Sequence, residues 1–90
     1  MKYLVTYDIS DDRKRDKVIK LLNEHGKRVQ LSCFEIEITS EKIDSLISDL
    51  EKVIDSETDK IFFFPISEYS IPLVKKLGKS DIEHNPSIVL

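Results

Sequence analysis

Between Thr39 and Ile54 the apolar residues Ile43, Leu46, Ile47, Leu50, Val53 and Ile54 recur at i, i+3, i+4 and i+7, a spacing that only an α-helix gathers onto one side. Thr39 or Ser40 supplies its cap, and its outer face is strongly acidic, as a solvated surface would be. A helix with one apolar stripe must lie on something, and the segments around it have the composition of strands. Tyr3 to Ile9, "YLVTYDI", mixes bulky and β-branched residues and reads as a central strand. Arg28 to Ile38, "RVQLSCFEIEI", is extended as well. There Phe34, Ile36 and Ile38 share one face and Cys33, Glu35 and Glu37 the other, and the break before Phe34 leaves either one bent strand or two short ones. "DKIFFFPI" reads as a strand buried on both faces and closed by Pro65. A turn or short helical piece follows from Ser67 to Ser70, and "PLVKKLG" reads as a last core strand ending at Gly78.

A first helix fits between Tyr3–Ile9 and Arg28. Ser10 or Asp11 caps it, Val18, Ile19 and Leu22 form its buried stripe with Leu21 beside it, and His25-Gly26 gives its C-terminal signal. The order predicts an α+β, ferredoxin-like βαββαβ sandwich over residues 1–78, with two helices on one face of a mostly antiparallel sheet. Residues 79–90 form a tail that is polar except for its final Ile88-Val89-Leu90. With 40% hydrophobic residues the chain can fold, but 90 residues bury a limited fraction of their surface, so a homo-oligomer is expected. The single cysteine, Cys33, excludes an internal disulfide and fits a reducing cytosol. The apolar run after Met1-Lys2 is too short for a signal peptide or a membrane span, so the cytoplasm, with no membrane partner, is the expected location.

Charge is unevenly placed. The net value is −3, yet residues 1–30 hold eight Lys and Arg against five Asp and Glu, whereas residues 41–60 hold three against seven. A basic face on a mildly acidic chain still attracts a polyanion. Arg13, Lys14, Arg15 and Lys17 crowd the first turns of helix 1, where cations oppose the macrodipole, and Lys20, Lys27 and Arg28 continue the set. They read either as a solvated face pairing with Asp11, Asp12 and Asp16, or as phosphate contacts giving salt-sensitive, sequence-independent affinity. Asp8, at the carboxyl end of a central strand, is either a turn residue like Ser10, Asp11 and Asp12 or a ligand for a divalent cation. One carboxylate is a poor Mg²⁺ site by itself, but a two-fold dimer would bring a second copy of Asp8 to it. No HxxxH or CxxC spacing suggests zinc, no Gly-rich loop suggests a nucleotide cradle, and Cys33 reads as a small packed residue. Phe62, Phe63 and Phe64 suit a core better than a base-stacking surface.

Taken together, "YLVTYDISDDRKRDKV", "GKRVQLSCFEIEI", the amphipathic helix and "DKIFFFPI" resemble a CRISPR-associated protein of the second core family, over residues 2–78 and in order. That family is the small subunit of the spacer-acquisition machinery and is often described as an endoribonuclease. The resemblance implies a ferredoxin-like homodimer with Asp8 at the seam, preceded by Tyr7. It matches Arg15 on the first helix, Arg28 before the second strand, and Ser32, Phe34 and Glu35 in "S-x-F-E". Two departures stand out: Cys33 replaces a frequent valine, and Lys17 replaces an arginine, keeping the charge and losing the bidentate fork.

Two functions are then expected. As an enzyme, two Asp8 carboxylates hold Mg²⁺ for phosphodiester cleavage of RNA or DNA, Arg15 and Arg28 position the backbone, and Tyr7, Ser32 and Phe34 support them; with no His or Lys placed as a general acid, the expected nuclease is weak or conditional. As a structural bridge, the dimer uses its basic face, Arg13, Lys14, Arg15, Lys17, Lys20, Lys27 and Arg28, to hold duplex DNA between copies of the CRISPR integrase. A ferredoxin-like RNA-binding or regulatory module is a third reading that rests on fold analogy alone. The tail 79–90 is expected to add a strand to the partner protomer or to dock another subunit.

Overall fold

The computed structural model describes residues 1–75 together with 77 and 78, and the tail expected to reach a partner lies outside them. The elements run β1 (Lys2–Asp8), α1 (Asp12–Asn23), β2 (Gly26–Gln30), β3 (Cys33–Glu37), α2 (Ser40–Val53), β4 (Lys60–Ile66) and a 3₁₀ turn at Ile71–Leu73. One antiparallel sheet results, in the order β2-β3-β1-β4, so β1 is central as its composition implies. Val5 pairs with Phe34 on one side and Phe63 on the other, and Tyr7 pairs with Ile61. These residues face the helices, where Val18 and Leu22 of α1 and Leu46 and Leu50 of α2 close the core with Phe34 and Ile36. The alternation sends Leu4, Thr6 and Asp8 to the opposite, open face of the sheet. The architecture is the expected α+β, ferredoxin-like sandwich. No helix among the described residues is long and apolar enough to cross a membrane.

Residues 28–38 make two strands. The chain reverses at Leu31-Ser32, with Ser32 in the left-handed region at φ 64°, and a bulge between Arg28 and Gln30 absorbs the offset. On β3, Glu35 turns to the open face, where it is buried and pairs with Lys2 Nζ at 3.6 Å.

Three expectations need correction. β4 is not buried on both faces: it lies at the edge of the described sheet, helices cover only one side, and Phe62 and Phe64 remain 56% and 50% exposed while Phe63 packs against the core. "PLVKKLG" does not form a last core strand. Pro72 fixes its own φ and lacks a ladder donor, Ile71–Leu73 tightens into a 3₁₀ turn, and Leu77 is fully exposed. Gly26 does not terminate α1, which ends on Glu24 with its N–H on the Leu21 and Leu22 carbonyls; Gly26 is a strand residue instead.

The N-terminus of α1 is capped by Asp11, whose Oδ1 accepts from the Lys14 backbone N–H at 2.9 Å. That bond is the main reason the Asp11 carboxyl is held below the usual aspartate range. A depressed carboxylate stabilises the fold above the unfolded aspartate's pKa, and the contribution disappears as pH falls through the lower, folded value. Asp11→Ala is therefore expected to lower Tm at neutral pH and to lower it less in acid, as read by circular dichroism melts. Equal losses at both pH values would contradict this. Thr39 occupies the corresponding position before α2 without a side-chain cap; its carbonyl receives the Lys42 and Ile43 N–H groups at 3.1 Å.

Candidate nucleic-acid site at the end of β1

β1 delivers Asp8 to the rim of the sheet, opposite Lys60 of β4, and the next residue, Ile9, turns back into the core. Asp8 is exposed, and its carboxylate has no hydrogen-bond or ion-pair partner among the described residues. The hairpin between β2 and β3 reaches the same rim. The left-handed backbone at Ser32 turns its carbonyl toward β1, where it accepts the Tyr7 N–H at 3.1 Å. From the other side, α1 sends Arg15 across: Nη1 donates to the Ile9 carbonyl at 2.9 Å and Nη2 bonds Asp12. Arg28 reaches over the Phe34 ring, with its guanidinium carbon 5.9 Å from the ring centre.

Tyr7, Asp8, Arg15, Arg28 and Ser32 thus line one cavity of about 550 Å³, together with Ile9, Ile19 and Leu31. Five of the six residues expected to act together come together. Phe34, the sixth, is fully buried and meets the Tyr7 ring at 6.2 Å, so it supports the floor and holds Arg28 from beneath. Arg13, Lys14, Lys17, Lys20 and Lys27 do not line the cavity. Arg13, Lys17 and Lys20 are exposed on α1, and Lys27 is exposed on β2. A charge run on a solvated helix distributes around its axis, and only the member facing the strand end joins the site. Leu31 and Ile19 carry no chemical signature in the sequence. Leu31 is 86% exposed at the hairpin tip, and only the fold places it beside Asp8.

The cavity carries two guanidinium groups and one unpaired carboxylate, a set suited to a phosphodiester backbone and a hard cation. No group of three His, Cys, Asp or Glu side chains is assembled among the described residues. Asp11 is occupied as a cap and Asp12 by Arg15, so Asp8 is the carboxylate left to a metal at this rim. A single carboxylate fits Mg²⁺ carried with water and phosphate oxygens rather than an enclosed protein cage.

The chain is similar in sequence and fold to known proteins. The family model described as "CRISPR associated protein Cas2" matches residues 1–71. A Synechocystis protein, "CRISPR-associated endoribonuclease Cas2 3", is 36% identical over 88 residues, 98% of this chain and 96% of that one. Streptococcus pyogenes Cas2, solved at pH 6.5, superposes with a TM-score of 0.79 at 32% identity, covering 87% of this chain and all of the other. A chain of the partial Cas6-RT-Cas1–Cas2 complex superposes with a TM-score of 0.74 at 29% identity, over 99% of this chain and 98% of that one.

Proposed function

The chain belongs to the CRISPR associated protein Cas2 family, and from that premise we propose that it is a spacer-acquisition subunit that binds nucleic acid and cleaves phosphodiester bonds at the end of β1. The observation that carries this reading is the convergence of Asp8, Arg15, Arg28 and Ser32 on one cavity from three separate elements. Arg28 is held from below by Phe34 and keeps its donors for phosphate. Arg15 is anchored through Nη1 to the Ile9 carbonyl, which fixes its head beside the strand end. The Asp8 carboxylate would hold Mg²⁺, shared with Asp8 of a second copy across a two-fold seam. The chemistry such an ion supplies is polarisation of the phosphodiester and a lower pKa for the attacking water. The half-exposed Phe62 and Phe64, with Leu4, give the open face an apolar area suited to that second copy.

A structural role is favoured by a separate observation: a solved relative lies in an assembly with Cas1. We therefore place the dimer between copies of the CRISPR integrase, where binding alone requires only the basic face. The two roles coexist, since Arg15 and Arg28 serve both.

Arg28→Ala tests the binding half. Its guanidinium is expected to account for about one released counterion, so affinity for a labelled DNA duplex or RNA should fall and the slope of log K against log salt should flatten by about one. Fluorescence anisotropy across a salt series reads both. An unchanged slope would remove this cavity from the binding surface.

A further inference from the structure

Arg15 is the one cation of the cavity whose donors are already partly used by an anion. Nη1 is fixed on the Ile9 carbonyl at 2.9 Å, while Nη2 is on Asp12, one helical turn away at i,i+3. Asp12 sits in the first turn of α1, where a carboxylate suits the helix dipole, and it has no hydrogen-bond or ion-pair partner other than Arg15 among the described residues. Asp11, not Asp12, caps the helix, and the Asp12 side chain is 83% exposed and does not line the cavity that Arg15 does. Asp12 meets Arg15 through Nη2 alone, and a carboxylate oxygen on one guanidinium nitrogen stands where a phosphate oxygen would. An ion pair this exposed is weak and readily exchanged. We infer that Asp12 is a built-in competitor for Arg15: its carboxylate holds Nη2 when no nucleic acid is bound, and a backbone phosphate takes its place on binding. The inference rests on the reading of this cavity as the nucleic-acid site and adds a residue that sets how tightly the site holds a polyanion.

The exchange leaves the Ile9 tether intact, so the Arg15 head stays beside Asp8 while its second nitrogen changes partner. Removing the competitor should then tighten binding. Removing a negative charge elsewhere on α1 should tighten it only through the general field. Asp16 provides that control, since it is exposed on the same helix and has no ion-pair or hydrogen-bond partner among the described residues.

The experiment compares Asp12→Asn with Asp16→Asn in the full-length protein, using a labelled DNA duplex and a labelled single-stranded RNA as probes over a salt series. Asp12→Asn is expected to bind about two- to five-fold tighter than Asp16→Asn, the range an exposed ion pair commands, with a salt slope steeper by about one. Asp12→Glu should stay near wild type, because it restores the competing carboxylate. Arg15→Gln should bind more weakly and should abolish the difference between Asp12 and Asn at position 12. If Asp12→Asn binds no tighter than Asp16→Asn, the competition is overturned. If it binds more weakly than wild type, Asp12 orients Arg15 for phosphate instead, which also overturns it. Should Arg15→Gln and Arg28→Ala both retain wild-type affinity, the cavity itself is not the binding site, an outcome distinct from failure of the Asp12 comparison alone.

Discussion

Gly26→Ala is expected to destabilise this protein by about 3 kcal/mol or more, the upper end of what overpacking costs. A Cβ at Gly26 would lie 1.8 Å from the Glu35 carbonyl oxygen, 2.7 Å from Ile36 Cα and 2.8 Å from the Glu35 carbonyl carbon. All three are backbone atoms of β3, directly across the ladder, so no side chain can swing away to make room. Gly26 pairs with Ile36, and the adjacent Glu37 N–H donates to the His25 carbonyl at 3.1 Å. β2 must therefore separate from β3 where the pairing begins. The loss spreads beyond the local contact, because β2 carries the buried Val29 and holds Arg28 over Phe34. A small domain has only about 5–15 kcal/mol of total stability, so a large share disappears. Urea unfolding followed by circular dichroism measures it. A midpoint shift equivalent to less than about 0.5 kcal/mol, the range of an ordinary surface substitution, would contradict the close approach of β2 to β3. The same variant should lose nucleic-acid binding, since the hairpin forms one wall of the cavity.

Much of this architecture is legible in the sequence. The stripe of α2 fixes both the element and its inward face, because Leu46 and Leu50, placed by the i, i+4 spacing, are its buried residues. The reset at Cys33-Phe34 places Phe34 and Ile36 in the core and Glu35 on the other face, as alternation demands. The resemblance implies that Tyr7, Asp8, Arg15, Arg28 and Ser32 act together, and the fold supplies a physical reason: the end of a central strand, a helix start and a hairpin share one rim. Other features carry no local signal. "IFFFPI" has the same composition whether a strand is covered on both faces or leaves one open, so the exposure of Phe62 and Phe64 follows from the one-sided helix layer and the edge position of β4. Gly26 reads as a helix terminator because the backbone oxygen that excludes a Cβ comes from a residue remote in sequence. The pairing of Asp12 with Arg15 fits an i,i+3 spacing, yet Asp11 offers an i,i+4 partner to the same arginine, and only the geometry separates them.

Asp8 carries the largest functional expectation. Its carboxylate is exposed and without a hydrogen-bond or ion-pair partner among the described residues, so Asp8→Asn removes a charge and little else. Stability should stay within about 0.5 kcal/mol of wild type, as for a surface change away from caps and core. Binding should hold or strengthen slightly, since one negative charge leaves a site meant for a polyanion. Cleavage should fall by about 10²–10³-fold, the effect of deleting one preorganised electrostatic contact at a reacting centre. Under the proposed structural role, an integrase-dependent reaction would rely on the arginines and not on the acid, and should survive Asp8→Asn.

The direct measurement is therefore a single comparison of wild-type and Asp8→Asn protein, each purified as the folded full-length chain. Mg²⁺-dependent cleavage of RNA and DNA is followed beside affinity for the same strands. A carboxylate at the end of β1 that acts on phosphate held by Arg15 and Arg28 requires cleavage to collapse while affinity survives. Cleavage at the wild-type rate in Asp8→Asn would contradict it.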